Sequence, residues 1–268
     1  MRRDWKAEAI KQWDQDPCGA DRETVFGTPE FFARVERERY EDYAPWMKPV
    51  IGFDRYPGKR VLEVGFGLGT DHLSFARNGA VCFGVDLTPA HVEATRKRLL
   101  LERRPVRLTR GDAETLPFAA DSLDVVYSFG VLHHTPGTAA AINEIHRVLK
   151  PGGEAIIALY HRNSAFYWGY CVLISGLLRG GFFRDGYRKT ISRIERRENS
   201  DAVPLVKVYS RRSAKRLFRD FRSVETVVQH FDFNHAGRPG LMARKLLIRW
   251  ESEIARRFGW YLIIRARK

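Results

Sequence analysis

The stretch VLEVGFGLGTDHLSFARNGAVCFGVDLTP, residues 61–89, sets three glycines at alternate positions between two short apolar runs. The first run, RVLEV at 60–64, is rich in β-branched residues and predicts a buried strand. The second run, AVCFGVD at 80–86, predicts another strand, and the residues between them have the pattern of a helix. A strand that turns sharply into a helix leaves backbone N–H groups free above the sheet. The stretch therefore predicts a ligand-binding turn built on Gly65, Gly67 and Gly69.

Two acidic residues flank this turn and indicate what kind of ligand it holds. Glu63 stands two residues before the first glycine, and Asp86 stands at the end of the second strand. A dinucleotide pyrophosphate favours the spacing G-x-G-x-x-G, whereas the spacing here is G-x-G-x-G and an acid would face the phosphates. S-adenosylmethionine suits the pattern better, because it carries a sulfonium and an ammonium and has no phosphate. We expect Asp86 to accept hydrogen bonds from both of its ribose hydroxyls.

Strands and helices alternate along the chain as far as residue 160. The predicted strands are apolar on both faces, which calls for a parallel sheet with helices on both sides. Beyond residue 160 the alternation breaks, and the last third resembles the end of the sheet with two insertions. Strands are predicted at 105–112, 123–130, 154–160 and 223–231, helices at 88–103, 138–150, 211–221 and 241–258, and a terminal apolar run at 259–266.

Several segments, in this order, resemble the motifs of class I S-adenosylmethionine-dependent methyltransferases. VLEVGFGLGT looks like their first motif, and GVDLTP is similar to the acidic loop that follows it. RGDAETLPFAADSLDVVYSFGVLHHT is similar to their next two motifs, and EIHRVLKPGGEAIIALYH to the segment after those. The resemblance covers residues 58–161, and in style it is closest to the small-molecule enzymes of the ubiquinone and menaquinone type.

The resemblance implies an α/β fold with a doubly wound, mostly parallel, seven-stranded sheet of the Rossmann-like kind. We expect residues 1–55 to form an N-terminal helical lid, since in similar enzymes this region closes the pocket. Residues 56–160 would be the core that binds S-adenosylmethionine. Residues 161–268 would complete the sheet and carry basic C-terminal insertions that form the acceptor site.

The resemblance also assigns contacts with the cofactor to single positions. The three glycines would line its methionine and ribose parts, and Leu87 would pack on the adenine. Asp112 would receive the adenine amino group, with a backbone contact from Ala113. Glu63 would lie on the ammonium side, and Phe66, where the family often has a smaller residue, would be tolerated because its backbone does the binding. The loop after the fourth strand would pass the methionine part at Ser128, Phe129 and Gly130.

Methyl transfer from a sulfonium is an in-line displacement, so the protein mainly aligns the acceptor and excludes water. A base is needed only if the acceptor is a hydroxyl, an ammonium or a carbon acid. Each candidate also fits a structural role, such as packing against the cofactor or capping a helix. The candidates follow the fourth and fifth strands: His133, His134, Tyr160 and His161. The cysteines form no C-x-x-C pair, and we predict no metal site.

The net charge of +14 lies in the last part of the chain. Residues 1–60 carry 12 basic and 12 acidic side chains, residues 61–160 carry 10 and 11, and residues 161–268 carry 24 and 9. This asymmetry indicates an anionic partner or, alternatively, a solvated arginine-rich surface. The uncharged run at 163–178 is shorter than the roughly 20 residues needed to cross a bilayer. The helix at 241–258 has an apolar face with basic flanks, which packs on the core or lies on a membrane.

Three functions stay open at the level of the sequence. The first is in-line methyl transfer to a small-molecule or lipid-like, anionic acceptor held by the basic last third. The second is an RNA methyltransferase, although SFGVLHH lacks the Asn/Asp-Pro-Pro-aromatic run of enzymes that methylate base nitrogens. The third is a nicotinamide-dependent oxidoreductase, which the early third glycine disfavours. The charged start and the scattered cysteines predict a cytoplasmic protein. If the acceptor is lipid-like, peripheral contact with a membrane is also expected.

Overall fold

The computed structural model describes residues 4–17, 19–20, 23–195, 201–232 and 248–268. Within these ranges the chain forms a seven-stranded sheet in the order β3-β2-β1-β4-β5-β7-β6. The strands are β1 Arg60–Val64, β2 Val81–Asp86, β3 Leu108–Arg110, β4 Leu123–Phe129, β5 Leu149–Tyr160, β6 Ser223–Gln229 and β7 Tyr261–Arg267.

Strands β1 to β5 run parallel, and β7 runs antiparallel to both of its neighbours, β5 and β6. The chain builds the sheet outward from β1 to β3, then returns to the middle and continues from β4 in the other direction. The loops that leave β1 and β4 therefore diverge, which opens a crevice at the carboxyl ends of these two strands. The observed sheet confirms the expected doubly wound, mostly parallel fold.

Helices cover both faces of the sheet, and two segments are π-helices. In chain order the helices are α1 Trp5–Gln15, α2 Pro29–Arg37, π1 Glu38–Tyr43, α3 Met47–Ile51, α4 Thr70–Arg77, α5 Pro89–Leu101, α6 Thr138–Val148, π2 Phe166–Leu178, α7 Gly181–Ser192, α8 Arg211–Leu217 and α9 Glu251–Phe258. Helix α7 is bent at Gly186, whose φ of 73° is not helical.

Successive side chains of a strand point to opposite faces of the sheet, and they pack into two hydrophobic cores, one on each face. On one face Leu62 and Val126 pack with Ile142 of α6. On the other face Val61 and Tyr127 pack with residues of α3 and π2. These cores hold the strand ends in place, so the crevice between β1 and β4 has a rigid floor.

The N-terminal segment is divided between core and surface. Thr28 caps α2 by accepting a hydrogen bond from the Phe31 N–H (3.2 Å), and Pro29 begins the helix. Phe31, Met47 and Ile51 are fully buried. Much of the segment expected to be a lid is therefore built into the body of the protein, whereas α1 packs against α5.

Several predicted boundaries differ from the observed ones. The third strand spans only 108–110, and the fifth begins at Leu149, where its register against β4 shifts. Of the helix predicted at 241–258, residues 241–247 lie outside the described residues. The remainder is a 3-10 turn, Ile248–Trp250, followed by α9, which contacts β6. No helix in the described ranges combines the length and apolar character that spanning a bilayer requires.

Candidate functional site

The glycines of the turn between β1 and α4 all have left-handed backbone angles, with φ of 77°, 53° and 72°. A side chain at Gly65 would collide with Val131, and one at Gly69 with α5, so packing within the protein requires both. A Cβ at Gly67 would meet no other described part of the chain within 4 Å, and the same holds for Gly130 after β4. The backbone at these two glycines therefore borders open space at the crevice, where a ligand has room to lie against it.

The side chain of Phe66 turns away from this space. It is buried and packs over Gly84 of β2, where a Cβ would come within 2.6 Å of its ring. A large residue fits at this position of the turn because its ring fills the sheet face and leaves the backbone exposed to the crevice.

Glu63 is a buried carboxyl group beside the turn that lacks the hydrogen bonds burial normally requires. Its Oε2 has no hydrogen-bond partner within the described part of the chain, and His72 Nδ1 lies 3.4 Å away. Burial, with the nearby Asp71 carboxylate, raises the pKa of Glu63 well above its usual range, and burial lowers the pKa of His72 to about 4. Burial thus favours the neutral form of both groups. A cationic ligand group beside Glu63 would favour its ionised form instead.

Asp86 joins the glycine turn to the start of α5. Its Oδ2 accepts a hydrogen bond from the Gly67 N–H (3.0 Å), and its Oδ1 accepts one from the Thr88 N–H (2.9 Å). His91 Nδ1 lies 3.2 and 3.3 Å from the two oxygens. The carboxylate that the sequence assigns to the ribose therefore stands next to Gly67, at the open side of the turn.

Asp112, predicted to meet the adenine, is held by the N-terminal helix. Lys6 Nζ donates hydrogen bonds to Asp112 Oδ2 (2.5 Å) and to Glu114 Oε2 (2.9 Å). The other oxygen of Asp112 accepts the Glu114 N–H (2.9 Å). Ala113 and Leu87, the other predicted contacts of the adenine, are half-buried. Helix α1 thus reaches the side of the crevice where the sequence places the adenine.

The end of β4 provides the opposite wall of the crevice. Ser128 Oγ donates a hydrogen bond to the Val64 carbonyl oxygen (2.8 Å), which ties β4 to the end of β1. The ring of Phe129 packs against Tyr261, with 4.6 Å between ring centroids. The guanidinium carbon of Arg39 lies 4.8 Å from the same Phe129 ring, so a cation from π1 reaches this wall.

Arg39 is fixed by a buried ion pair at the start of α4. Its Nε donates to Asp71 Oδ1 (2.7 Å), and its second nitrogen donates to Oδ2 (2.5 Å). Tyr40 and Tyr127 also donate hydroxyl hydrogen bonds to Asp71, at 2.9 and 2.7 Å. Although burial raises the pKa of Asp71, the Arg39 cation and these hydrogen bonds hold it below its usual value. The carboxylate is therefore fully paired, and it anchors the N-terminal segment beside the crevice.

His133 is fully buried, and neither of its ring nitrogens has a hydrogen-bond partner in the described ranges. Its ring lies 3.7 Å from that of Tyr160 and 4.1 Å from that of His134, measured between centroids. Burial lowers the pKa of His133 well below its usual value, and the charges of His134 and Lys207 act in the same direction. The imidazole is therefore neutral near pH 7 and keeps one nitrogen able to accept a proton.

His134 and Tyr160 complete this cluster of rings. His134 Nδ1 lies 2.6 Å from the Leu205 carbonyl oxygen, which places a proton on Nδ1 and leaves Nε2 as the acceptor. Burial lowers the pKa of His134, although the Glu195 carboxylate opposes this. Tyr160 donates its hydroxyl to Glu195 Oε1 (2.6 Å), and burial raises its pKa well above 10.

His161 lies apart from the other three candidates. Its Nδ1 is 3.1 Å from the Gly259 carbonyl oxygen, and its backbone N–H donates to the Trp260 carbonyl (2.8 Å). Burial lowers the pKa of His161. These contacts join the end of β5 to the start of β7, so they give His161 a structural role.

Aromatic side chains from five parts of the chain meet beside the cluster of His133, His134 and Tyr160. Ring contacts of 4.2 to 6.4 Å between centroids link the N-terminal segment, β4, β5, the residue after β6 and the start of β7. They form an apolar wall at the carboxyl ends of β4 and β5, made of Tyr43, Trp46, Phe129, Tyr160, His230, Trp260 and Tyr261.

Sequence reasoning missed five residues of this region. Asp71 had a local signal, since it follows the glycine turn in the first turn of a helix. Lys6, Trp13, Arg39 and Glu195 had none, because each reaches the site from a segment distant in the chain.

Comparison with known proteins agrees with this geometry. Residues 62–157 match the family model described as "Methyltransferase domain". A phthiotriol/phenolphthiotriol dimycocerosates methyltransferase of Mycobacterium leprae (strain TN) is 41% identical over 103 residues, which are 38% of this chain and 37% of that protein. A ubiquinone biosynthesis O-methyltransferase of Hahella chejuensis is 39% identical over 108 residues, which are 40% of this chain and 45% of that protein. The chain therefore spans less than half the length of these relatives.

A solved structure extends the likeness beyond the matched residues. The crystal structure of an S-adenosylmethionine dependent methyltransferase from Mesorhizobium loti aligns with a TM-score of 0.54 at 21% identity. The alignment covers 85% of this chain and 99% of that one. At this identity the likeness concerns the fold, and it includes strands on both sides of the crevice.

Proposed function

We propose that the protein is a class I, S-adenosylmethionine-dependent methyltransferase that methylates a small-molecule or lipid-like acceptor with an anionic group. The match of residues 62–157 to the family model described as "Methyltransferase domain" supports this. The observation that carries the proposal is the crevice between β1 and β4. There Gly67 and Gly130 border open space, and the Oε2 of Glu63 has no hydrogen-bond partner among the described residues.

The residues at the crevice fit S-adenosylmethionine. The backbone at both glycines leaves room for its methionine part, and Glu63 suits its ammonium group. Asp86, beside Gly67 at the turn, is the proposed acceptor of the ribose hydroxyls, and Asp112 is the proposed partner of the adenine amino group. When bound, the cofactor supplies a methyl group already activated by the positive sulfur.

The chain's own part is to align the acceptor, exclude water and, where the acceptor has a proton to lose, accept it. His133 and His134 are the proposed proton acceptors, because both are held neutral by burial. Tyr160 packs on His133 and stays protonated, so its proposed role is to position that ring.

Replacing Asp86 with alanine tests the cofactor site directly. We expect Asp86→Ala to weaken S-adenosylmethionine binding by about 1.5–3 kcal/mol, the value of hydrogen bonds to a charged group. Calorimetry with S-adenosylmethionine, S-adenosylhomocysteine and NADH measures this, and Asp54→Ala, an exposed aspartate, is the matched control. A parent protein that binds neither sulfur ligand, or that prefers NADH, would contradict the proposal.

The acceptor is proposed from the surroundings of the crevice. The aromatic wall suits an apolar or ring-bearing acceptor, and the two relatives are named for dimycocerosates and for ubiquinone biosynthesis. The net charge of +15 over residues 161–268 would favour an acceptor with a carboxylate or phosphate.

Contact with a membrane is proposed for the hairpin of π2 and α7. The wide turns of the π2 helix, which follow from its i→i+5 hydrogen bonds, place Trp168, Leu173 and Leu177 on one face. These side chains, with Leu178 and Phe183 at the hairpin tip, are between 47% and 82% exposed. Arginines at 179, 184 and 188 flank them. An apolar face with basic flanks is typical of a segment that lies on an anionic lipid surface.

Vesicle sedimentation tests this contact. We expect the parent to bind vesicles that contain one quarter phosphatidylserine and not vesicles of phosphatidylcholine alone. The double variant Leu178→Ser/Phe183→Ser should lower binding by roughly tenfold or more, because two apolar side chains no longer enter the lipid. The control Leu100→Ser/Leu101→Ser removes exposed leucines on α5 and should bind like the parent. Equal loss in both double variants would contradict this surface.

Helix α1 is the proposed lid. Trp13 packs on His134 with 4.7 Å between ring centroids, and Asp14 accepts the Ala90 N–H (3.0 Å). Lys6 adds its pair with Asp112. These three contacts connect α1 to the crevice, and the proposed lid opens by breaking them.

Limited proteolysis tests the lid. We expect S-adenosylmethionine to slow cleavage within residues 1–20, because a filled crevice gives α1 more surface to contact. Lys6→Met should speed this cleavage in the absence of ligand. Lys11→Met, which loses only an exposed pair with Asp201, should not. A cleavage rate that is the same with and without S-adenosylmethionine would contradict the proposal that α1 is a lid.

A further inference from the structure

A second cavity of about 480 Å³ lies next to the crevice, between the hairpin of π2 and α7 and the segment 205–208. Arg162 enters it from the end of β5, Arg188 from α7 and Lys207 from the segment. Tyr167 and Tyr187 form the rest of its polar lining. None of the described residues that line it is acidic.

No carboxylate stands among the described residues that line the cavity with these three cations. Lys207 Nζ donates to the Pro136 carbonyl and to Thr138 Oγ1, each at 2.8 Å, so its described contacts are neutral acceptors. Burial lowers the pKa of Lys207, although the Glu114 carboxylate, which is not part of the cavity lining, opposes this. The Arg188 guanidinium lies 5.9 Å from the ring centroid of Trp5. Cations gathered in this way repel one another, and an anion among them removes the repulsion.

The tyrosine pair provides a further donor. The hydroxyls of Tyr167 and Tyr187 are 2.9 Å apart, so only one of their two protons is used between them. Burial and this hydrogen bond raise the pKa of Tyr187, which keeps its hydroxyl protonated near pH 7. One hydroxyl proton is thus available to an oxygen held by the arginines.

The cavity shares its wall with the candidate catalytic residues. The Lys207 N–H donates to the His133 carbonyl oxygen (3.1 Å), and the Leu205 carbonyl contacts His134 Nδ1. The Arg162 N–H donates to the Tyr209 carbonyl (2.9 Å), which fixes the cavity at the carboxyl end of β5. An anion bound there lies beside the residues that follow β4, on the acceptor side of the crevice.

We propose that this cavity binds the carboxylate or phosphate of the methyl acceptor, with Arg162, Arg188 and Lys207 as its cationic contacts. The proposal rests on the proposed methyltransferase function and adds the place where the acceptor's charge is held. Two arginines can each offer paired N–H donors to such a group, which gives orientation as well as attraction.

Calorimetry with model anions tests the cavity in the presence of saturating S-adenosylhomocysteine. Phenyl phosphate and benzoate should bind, and the neutral probe benzyl alcohol should bind at least roughly tenfold more weakly. The double variant Arg162→Gln/Arg188→Gln should weaken phenyl phosphate binding by roughly tenfold or more and leave benzyl alcohol unchanged. A further titration with dihexanoyl phosphatidate shows whether the bound phosphate belongs to a lipid or to a free anion. If this short lipid binds much more tightly than phenyl phosphate, the cavity holds a lipid acceptor. If the two bind equally, the cavity holds a free anion.

The control is Lys189→Gln, which removes an exposed cation from the same helix that does not line the cavity. It should bind phenyl phosphate like the parent, and thermal unfolding confirms that each variant is folded. Equal weakening by Lys189→Gln, or unchanged binding in the double variant, would overturn the proposal. S-adenosylmethionine binding is measured in the parent and in every variant. If the parent does not bind it, the proposed function is contradicted. If the double variant binds both S-adenosylmethionine and phenyl phosphate like the parent, only the proposal for the cavity is contradicted.

Discussion

Gly67→Val should remove S-adenosylmethionine binding from a protein that still folds. The valine side chain would project into the open space beside the turn, where a Cβ meets no other part of the described chain within 4 Å. Nothing in the protein is therefore displaced, and the loss falls on the ligand. We expect binding weaker by about 4 kcal/mol or more, a factor of roughly 1,000.

The backbone strain of this substitution has its own control. Gly67 has φ of 53°, and a valine there is strained whatever space surrounds it. Gly58, in the turn before β1, has φ of 71° and the same lack of neighbours around an added Cβ, but lies at the opposite end of the strand. Gly58→Val should show a similar loss of thermal stability and bind the cofactor like the parent. If both variants bind alike, the cofactor does not lie against Gly67.

His133→Phe should stabilise the protein and slow methyl transfer. Phenylalanine keeps the ring that packs on Tyr160 and removes two buried nitrogens that have no hydrogen-bond partner in the described ranges. Removing such groups is expected to raise the free energy of unfolding by about 1–2 kcal/mol. If His133 accepts the acceptor's proton, the turnover rate should fall by roughly 100- to 10,000-fold.

The stabilisation should depend on pH in a defined direction. The pKa of His133 is lowered in the folded protein, so below about pH 6.5, the ordinary value, the unfolded chain binds a proton that the native state does not. The free energy of unfolding of the parent therefore falls as pH drops below that value, by at most roughly 1.4 kcal/mol per unit for this residue. His133→Phe removes this contribution, so its advantage over the parent should grow from pH 6.5 towards pH 5.

Chemical denaturation at several pH values measures the stability, and single-turnover methylation of an acceptor found by metabolite screening measures the rate. His146→Phe is the matched control, since His146 packs against Phe221 on the far side of α6. It should leave the rate unchanged. A His133→Phe protein that methylates at the parental rate would show that His133 is a packing residue.

The part of the fold from β1 to β5 was predictable because its signals are local. A strand, a glycine with positive φ and a helix leave their pattern within about 30 residues, and the glycine turn and Asp86 follow from it. The ends of elements were less predictable. Strand β5 starts at Leu149, before Pro151, because pairing with β4 outweighs the local turn signal there.

Residues that the sequence predicts to have the same role in the site have different roles in the structure. Packing against Val131 requires a glycine at position 65, and packing against α5 requires one at position 69. Gly67 instead borders the open space, although the three glycines cannot be told apart in the sequence. His133, His134 and Tyr160 meet as a cluster, and His161 joins β5 to β7 instead. Burial and partners make this difference, and both depend on which distant segments pack together.

By itself the sequence determined the doubly wound sheet, the glycine turn and the excess of positive charge in the last third, since these follow from periodicity, glycine conformation and composition. Tertiary structure alone brought Lys6 to Asp112 and Arg39 to Asp71. It also gathered Arg162, Arg188 and Lys207 around one cavity whose described lining includes no acidic residue. The physical reason is that a charge acquires its role from its neighbours in space. Those neighbours are set by the packing of helices and loops onto the sheet, which no pattern within one segment records.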